Sequence, residues 1–376
     1  MLGVQKDCGH TFLKHIQMYD FLIVGAGLYG SVCARELTDK GYSCLVIDKR
    51  SHIGGNCHTS RQSGIDVHTY GPHIFHTSNQ EVWEYINRFT EFIPYKFSPV
   101  ANYFGELYSL PFNLWTFYQI YGDHSVNGVS KKLSMFASDE EPSNLEEFAI
   151  QAVGKKMYRK LIHGYTKKQW QTDPKNLPAD IIKRLPVRLT FDNNYFNDTY
   201  QGIPKDGYTA IFERLLDGID IGLGVDYFKE RNVLKSKKII YTGKIDELFD
   251  YCYGDLDYRS LRFKQKTYDV SNYQGTAVIN YTDDVTPYTR VIEHKHFVPF
   301  VESSKTIVTQ EYPAEYKRGV EPYYPINNTE NNEKYKMYKE LADKDPNLYL
   351  GGRLAEYKYY DMHQVIASAL AFTKVT

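Results

Sequence analysis

Residues 19–48 constrain the fold more than any other part of the chain. An apolar run, Tyr19–Val24, leads into G-A-G-L-Y-G at Gly25 to Gly30. Residues 31–40 then carry Val32, Cys33 and Leu37 at helical spacing, Gly41 stops the helix, and the apolar run 43–47 ends on Asp48. Strand, glycine turn, helix, strand and acid within about thirty residues predict a βαβ unit of the Rossmann type. Gly25 permits the tight turn, Gly27 lets backbone approach a pyrophosphate, and Gly30 lets the helix pack on the strand. The pyrophosphate then meets free N–H groups at the positive end of the helix dipole. Asp48 stands where a carboxylate accepts from ribose hydroxyls, which suits a ribose without a 2′-phosphate. Such glycine turns also occur where no nucleotide binds; the strand, helix and acid around this one favour dinucleotide binding.

Which dinucleotide is read from the residues that follow. After Asp48 comes K-R-S-H-I-G-G-N, adding Lys49, a glycine pair at Gly54 and Gly55, and Asn56. A domain for NAD alone runs directly into its next helix at this point. Val225, just past a short strand at 219–222, is counted with the cofactor contacts. Near the far end L-Y-L-G-G-R feeds another strand into a glycine pair and Arg353, and Asp361 with Met362 opens the closing helix, whose N-terminus can face an isoalloxazine ring. Both chain ends thus build one nucleotide site. No second G-x-G-x-x-G is present for NAD(P)H, so FAD is the expected cofactor and an external reductant must serve it.

A length of 376 residues asks for two or three domains. The expected class is α/β: a Rossmann-like FAD-binding domain assembled from 18–90, 207–256 and 336–376, preceded by a leader at 1–17. Aromatic helical segments at 80–89, 114–121, 145–153 and 157–165 predict an inserted helical domain over 91–187, with loops and weak helices at 122–142 and a mobile substrate lid near 165–178. Residues 188–206 and 257–335, with alternating runs at 277–281, 289–297 and 306–312, predict an antiparallel sheet domain.

Composition excludes several function classes. A net charge of −1 provides no field toward nucleic acid or anionic membrane, so an anionic ligand must be held by a few placed cations. No apolar run approaches the ~18 residues of a membrane span. Five scattered cysteines (Cys8, Cys33, Cys44, Cys57, Cys252), without a C-x-x-C pair, fit a reducing, cytoplasmic setting with neither disulfide framework nor zinc site. His73 and His76 stand three apart with no Cys or acid cluster beside them in sequence, so no metal is expected. The 34 tyrosines serve large aromatic cores or a polar cavity; composition leaves both open.

Seven further motifs carry a specific likeness: Y-G-P-H-I-F-H-T (70–77), S-L-P-F-N (109–113), Y-T-K-K-Q-W (165–170), I-I-K-R-L-P-V-R (181–188), Y-Q-G-I-P (200–204), T-R-V-I-E-H-K-H (289–296) and G-G-R-L-A-E-Y-K-Y-Y-D-M (351–362). In this order, from Met18 to the end, the chain resembles the bacterial, FAD-dependent UDP-galactopyranose mutases. Pro72 and Cys57 depart from the small residues expected at their positions.

The resemblance implies a redox-neutral interconversion of UDP-galactopyranose and UDP-galactofuranose. Reduced flavin attacks the anomeric carbon through N5, UDP departs, and a flavin–sugar iminium forms before the ring recloses. Arg184 and Arg290 would grip the diphosphate, as planar bidentate donors suit. Tyr195, Tyr324 and Tyr359 would donate to the diphosphate, Tyr165 and Trp170 would meet the uridine, and Asn280 would touch the nucleotide. His73 and His76 would lie against flavin and sugar, and Arg353 and Asp361 would contact the cofactor. Arg184, Arg290, His73 and Tyr359 make up the implied catalytic set. A homodimer and a role in cell-surface polysaccharide synthesis are also implied. The residues taken alone leave two rivals: an FAD oxidoreductase of the amine-oxidase or dehydrogenase kind, which consumes an electron acceptor, and a flavoprotein without turnover.

Overall fold

A computed structural model describes residues 18–182, 187–299 and 301–376. Tyr19–Val24 is the middle strand of a five-stranded parallel sheet, in the order Asp220–Leu223, Cys44–Asp48, Tyr19–Val24, Ser236–Tyr241, Leu348–Leu350. Both faces are covered, which is why these strands read as unbroken apolar runs. On one face Phe21, Ile23 and Val46 pack with Val32 and Leu37 of helix Leu28–Asp39, Phe212 of Tyr208–Leu215 and Ile366 of Met362–Val375. On the other, Leu22, Leu45 and Ile47 meet Val225 and Tyr227. Each fully buried side chain of this size contributes about 2 kcal/mol. Register pairs Val24 with Ile47 and Tyr241, Leu223 with Asp48, and Tyr241 with Leu350. All five carboxyl ends therefore reach one edge, where open α/β sheets bind ligands.

A seven-stranded sheet follows the order Tyr324–Pro325, Tyr258–Tyr268, Thr306–Glu315, Arg290–Glu293, Val278–Tyr281, Val100–Tyr103, Glu106–Ser109. It is antiparallel except where Val278–Tyr281 runs parallel to Val100–Tyr103. Its last two strands fall in the stretch expected to be helical. They form a hairpin turned by Phe104 and Gly105, both at positive φ (50° and 89°). A two-residue turn of that handedness matches strand twist, but Phe rather than Asn or Asp at its first position hides it from sequence. Phe92–Pro94 is likewise a strand, joined with Phe75–Thr77 and Tyr200–Pro204 in a three-stranded sheet.

Residues 188–199, expected to be extended, contain no strand. Asp192 Oδ1 accepts the Asn194 amide at 3.0 Å and closes a local turn in place of a ladder. In the opposite direction, 126–136 is a full helix, capped by the Ser125 hydroxyl on the Gly128 amide. The helical core gathers Leu114, Phe117, Leu145, Met157 and Leu161. A π-helical turn, Tyr158–His163, leads from it directly into helix Gly164–Trp170.

Candidate active site

The glycine turn does at close range what its sequence suggested. A Cβ on Gly30 would stand 2.0 Å from the carbonyl oxygen of Gly25, and one on Gly55 would stand 3.0 Å from the Gly27 Cα. Only glycine lets these two turns touch. Helix Leu28–Asp39 has no side-chain cap at its start, so its first amides are left for a ligand. Asp48 already accepts from the Ala26 amide through Oδ2 and from the Arg50 amide through Oδ1, both at 2.9 Å. Each carboxylate oxygen keeps a second lone pair for a ribose hydroxyl.

Above this edge lies a cleft of about 290 Å³. Of the residues singled out as cofactor contacts, Gly25, Gly27, Gly30, Asp48, Lys49, Gly54, Gly55, Asn56, His73, Val225, Arg353 and Met362 line it. His76 and Asp361 do not; they stand together with His363. The sequence reading missed Arg50, Thr242, Tyr323 and Glu321, which also line the cleft. Arg50 bonds Asn56 Oδ1 at 2.9 Å, pairs with Glu321 at 2.7 Å and lies over the Tyr70 ring at 4.5 Å. Arg50 follows Asp48 so closely that it could have been flagged; Glu321 stands 271 positions after Arg50 and carries no motif.

His73 reaches the cleft from a buried histidine relay. Its amide donates to Nδ1 of His68 at 3.0 Å, and its own Nδ1 lies 2.8 Å from the Gly71 carbonyl. A carbonyl only accepts, so Nδ1 carries the proton and Nε2 keeps its lone pair. Burial pushes His73 down to about 4, with the cations Arg353 and Arg290 adding to the effect, so the ring is neutral at pH 7.

Arg353 lines this cleft and also borders two tyrosines outside its lining. Its guanidinium lies 5.2 Å from the Tyr359 ring and 5.5 Å from the Tyr324 ring, and those rings stack at 5.4 Å. Arg290 stands beside Tyr165 and Tyr324, held by Glu311 through Nε at 2.9 Å. Among the described residues its terminal nitrogens have no protein partner. Asn280 sits opposite Arg290 in register, with Oδ1 buried and unpartnered. Burial raises Tyr165 to about 12, so its hydroxyl stays a donor. Tyr195 and Tyr359 are 39% and 52% exposed and edge the opening. Arg184 lies outside the described residues.

Of the segment expected as a lid, residues 165–170 belong to helix Gly164–Trp170, which is docked on the large sheet. A Cβ on Gly164 would stand 2.5 Å from the Thr282 carbonyl oxygen. Lys168 Nζ donates to the carbonyls of Tyr281 (2.8 Å) and Tyr288 (3.1 Å), and burial pushes it down to about 8. Trp170 packs on the helical core with Arg259 6.0 Å from its ring.

A dinucleotide fold whose cleft shares Arg353 with a group of tyrosines, near a partly buried, half-committed arginine, suits an enzyme with a nucleotide cofactor and an anionic second ligand. Comparison with known proteins narrows the class. The chain belongs to the UDP-galactopyranose mutase family, whose model matches residues 160–359. A model described as an NAD(P)-binding Rossmann-like domain matches 23–89. The chain is 40% identical over 361 residues to a probable UDP-galactopyranose mutase of Klebsiella pneumoniae, covering 93% of each chain. It is 39% identical over 365 residues to a dTDP-fucopyranose mutase of Escherichia coli, covering 94% of this chain and 97% of the other. Among solved structures, reduced UDP-galactopyranose mutase superposes with a TM-score of 0.72 at 14% identity, over 95% of this chain and 93% of that one, a likeness of fold. Among the described residues no helix is long and apolar enough to cross a membrane.

Proposed function

We propose that the chain binds FAD in the cleft and, with the flavin reduced, interconverts UDP-galactopyranose and UDP-galactofuranose without net redox change. The observation that carries this reading is Arg290: a guanidinium anchored by Glu311 through Nε alone, its terminal nitrogens turned loose among tyrosines, one arginine away from the cofactor cleft. Gly25, Gly27, Gly30 and the uncapped helix start would take the pyrophosphate. Asp48, Lys49, Asn56 and Val225 would hold the adenosine half. Gly54 and Gly55 would let backbone approach the ligand, and His73, Arg353 and Met362 would border the flavin; His76 and Asp361, expected there from sequence, stand beside the cleft rather than in it. When bound and reduced, the isoalloxazine supplies a nucleophilic nitrogen for the anomeric carbon.

The side chains do the rest. Arg290, with Arg184 as its partner, holds the diphosphate and offsets the charge that develops as it leaves. Tyr195, Tyr324 and Tyr359 donate to its oxygens and keep it beside the sugar, so that it returns to the same carbon. Tyr165, Trp170 and Asn280 meet the nucleoside. His73, neutral, offers Nε2 as an acceptor to a sugar hydroxyl. The enzyme works as a cytoplasmic homodimer and takes electrons from an external reductant.

The test is to reduce the purified protein with dithionite and follow UDP-galactofuranose by chromatography. UDP-galactopyranose is the expected product, and oxidised protein should be nearly silent. Turnover that consumes oxygen or an acceptor mole for mole would return the oxidoreductase reading. A parallel reaction with dTDP-fucofuranose tests the alternative nucleotide sugar. If reduced, flavin-loaded protein leaves both sugars untouched, the proposal fails.

A further inference from the structure

Beside the cleft, three side chains far apart in sequence gather into one cluster. A ring nitrogen of His76, a ring nitrogen of His363 and a carboxylate oxygen of Asp361 all lie within 4.8 Å of one another. His76 comes from strand Phe75–Thr77, Asp361 precedes helix Met362–Val375, and His363 is in that helix's first turn.

His76 is held in one orientation. Its Nδ1 lies 2.6 Å from Asp198 Oδ2, and its ring stacks on Phe196 at 3.7 Å and 13°. Asp198 is itself fixed by the Ser78 hydroxyl at 2.7 Å. An ionised carboxylate only accepts, so Nδ1 carries the proton and Nε2 presents its lone pair. This carboxylate–imidazole arrangement orients metal-binding histidines and raises their basicity. His363 adds the second observation: among the described residues its Nδ1 is buried without a hydrogen-bond partner, while its ring also approaches the His76 backbone. A buried polar atom left in this way costs about 1–3 kcal/mol. Two imidazoles and a carboxylate facing one another invite a cation between them.

We propose that His76, Asp361 and His363 bind one divalent transition-metal ion, with water completing the shell. Two nitrogens and one carboxylate favour Zn²⁺ or Co²⁺ over Mg²⁺ or Ca²⁺, which take oxygen ligands. Tetrahedral zinc, with bonds of 2.0–2.1 Å, sets its ligand atoms roughly 3.3 Å apart. Rotation of the half-buried Asp361 and His363 side chains toward the anchored His76 closes the gap. The ion would tie the start of the last helix, whose Met362 lines the cofactor cleft, to the Phe75–Thr77 strand. The site does not depend on the mutase reading.

Isothermal titration of zinc chloride into EDTA-treated, dialysed protein, in the state in which it purifies, tests the site. One tight equivalent per chain is expected, and none for magnesium chloride. His363→Ala substitutes a good helix former on a helix; it should abolish the tight phase and leave turnover in EDTA unchanged. Asp198→Asn keeps all three ligands and should weaken zinc by about tenfold or more. No uptake by the parent protein, or the same tight equivalent in His363→Ala, overturns the proposal.

Discussion

Arg290 and Glu311 face each other on paired strands, Nε to Oε1 at 2.9 Å, and Glu311 is 1% exposed. The Thr289 hydroxyl supports the same oxygen at 3.2 Å. One buried carboxylate thus orients the arginine that stands beside Tyr165 and Tyr324. Glu311→Ala would remove the carboxylate held against the partly buried Arg290 guanidinium, a loss of roughly 1.5–3 kcal/mol. Urea denaturation should show a lower midpoint for Glu311→Ala, and a smaller drop for Glu311→Gln, which keeps an acceptor. Unchanged stability in Glu311→Ala would mean that something else anchors Arg290.

Arg290 itself should matter to turnover more than to folding. With Nε on Glu311, its terminal nitrogens are left for the diphosphate that the proposed function places there. Removing one such donor to a leaving group costs on the order of 10²–10³ in rate. Arg290→Ala and Arg184→Ala should each lose activity on this scale while the bound flavin keeps its absorption spectrum. Loss of flavin in either variant would put that arginine in the cofactor site instead.

The nucleotide turn makes a sharper steric prediction. Gly30→Ala would drive a Cβ to 2.0 Å from the Gly25 carbonyl oxygen, a backbone atom that cannot rotate away. The turn must open, and the pyrophosphate cradle opens with it. The variant should purify largely free of flavin, read from the ratio of visible to 280 nm absorbance. Full flavin content would show that the pyrophosphate does not rest on this turn.

Local signals carried well from sequence to structure, and long-range ones did not. The βαβ unit was legible because strand, glycines, helix and acid lie within thirty residues and each obeys a short-range rule. Strands Tyr19–Val24 and Leu348–Leu350 and helices Leu114–Tyr121 and Leu145–Val153 fall where periodicity put them. The Val100–Ser109 hairpin escaped because four-residue strands hold too few periods and Phe104 disguises the turn. Glu311 and Glu321 were invisible as site residues: what matters is the cation each meets across the fold, and a single sequence does not record pairing. The same holds for His363, whose partner His76 is 287 positions away.

The buried histidines set an acid limit on stability. His294 and His68 are 1% and 2% exposed. Nδ1 of His294 accepts the His68 amide at 3.2 Å, and Nδ1 of His68 accepts the His73 amide at 3.0 Å. Neither nitrogen can take a proton without breaking its bond, and burial pushes His294 down to about 3 and His68 well below its ordinary value. In the unfolded chain both titrate near 6.5. Below that pH the unfolded state binds protons that the folded state refuses, so stability is complete above about pH 6.5 and falls as pH drops from there toward 3. The slope is about 1.4 kcal/mol per pH unit for each histidine. Against a total of roughly 5–15 kcal/mol, two such groups remove a substantial share of the stability by pH 4.5. Urea titrations at pH 7, 6, 5 and 4.5 should show this decline, and His294→Gln should make the slope clearly shallower. An unaltered slope in that variant would assign the proton uptake to other groups.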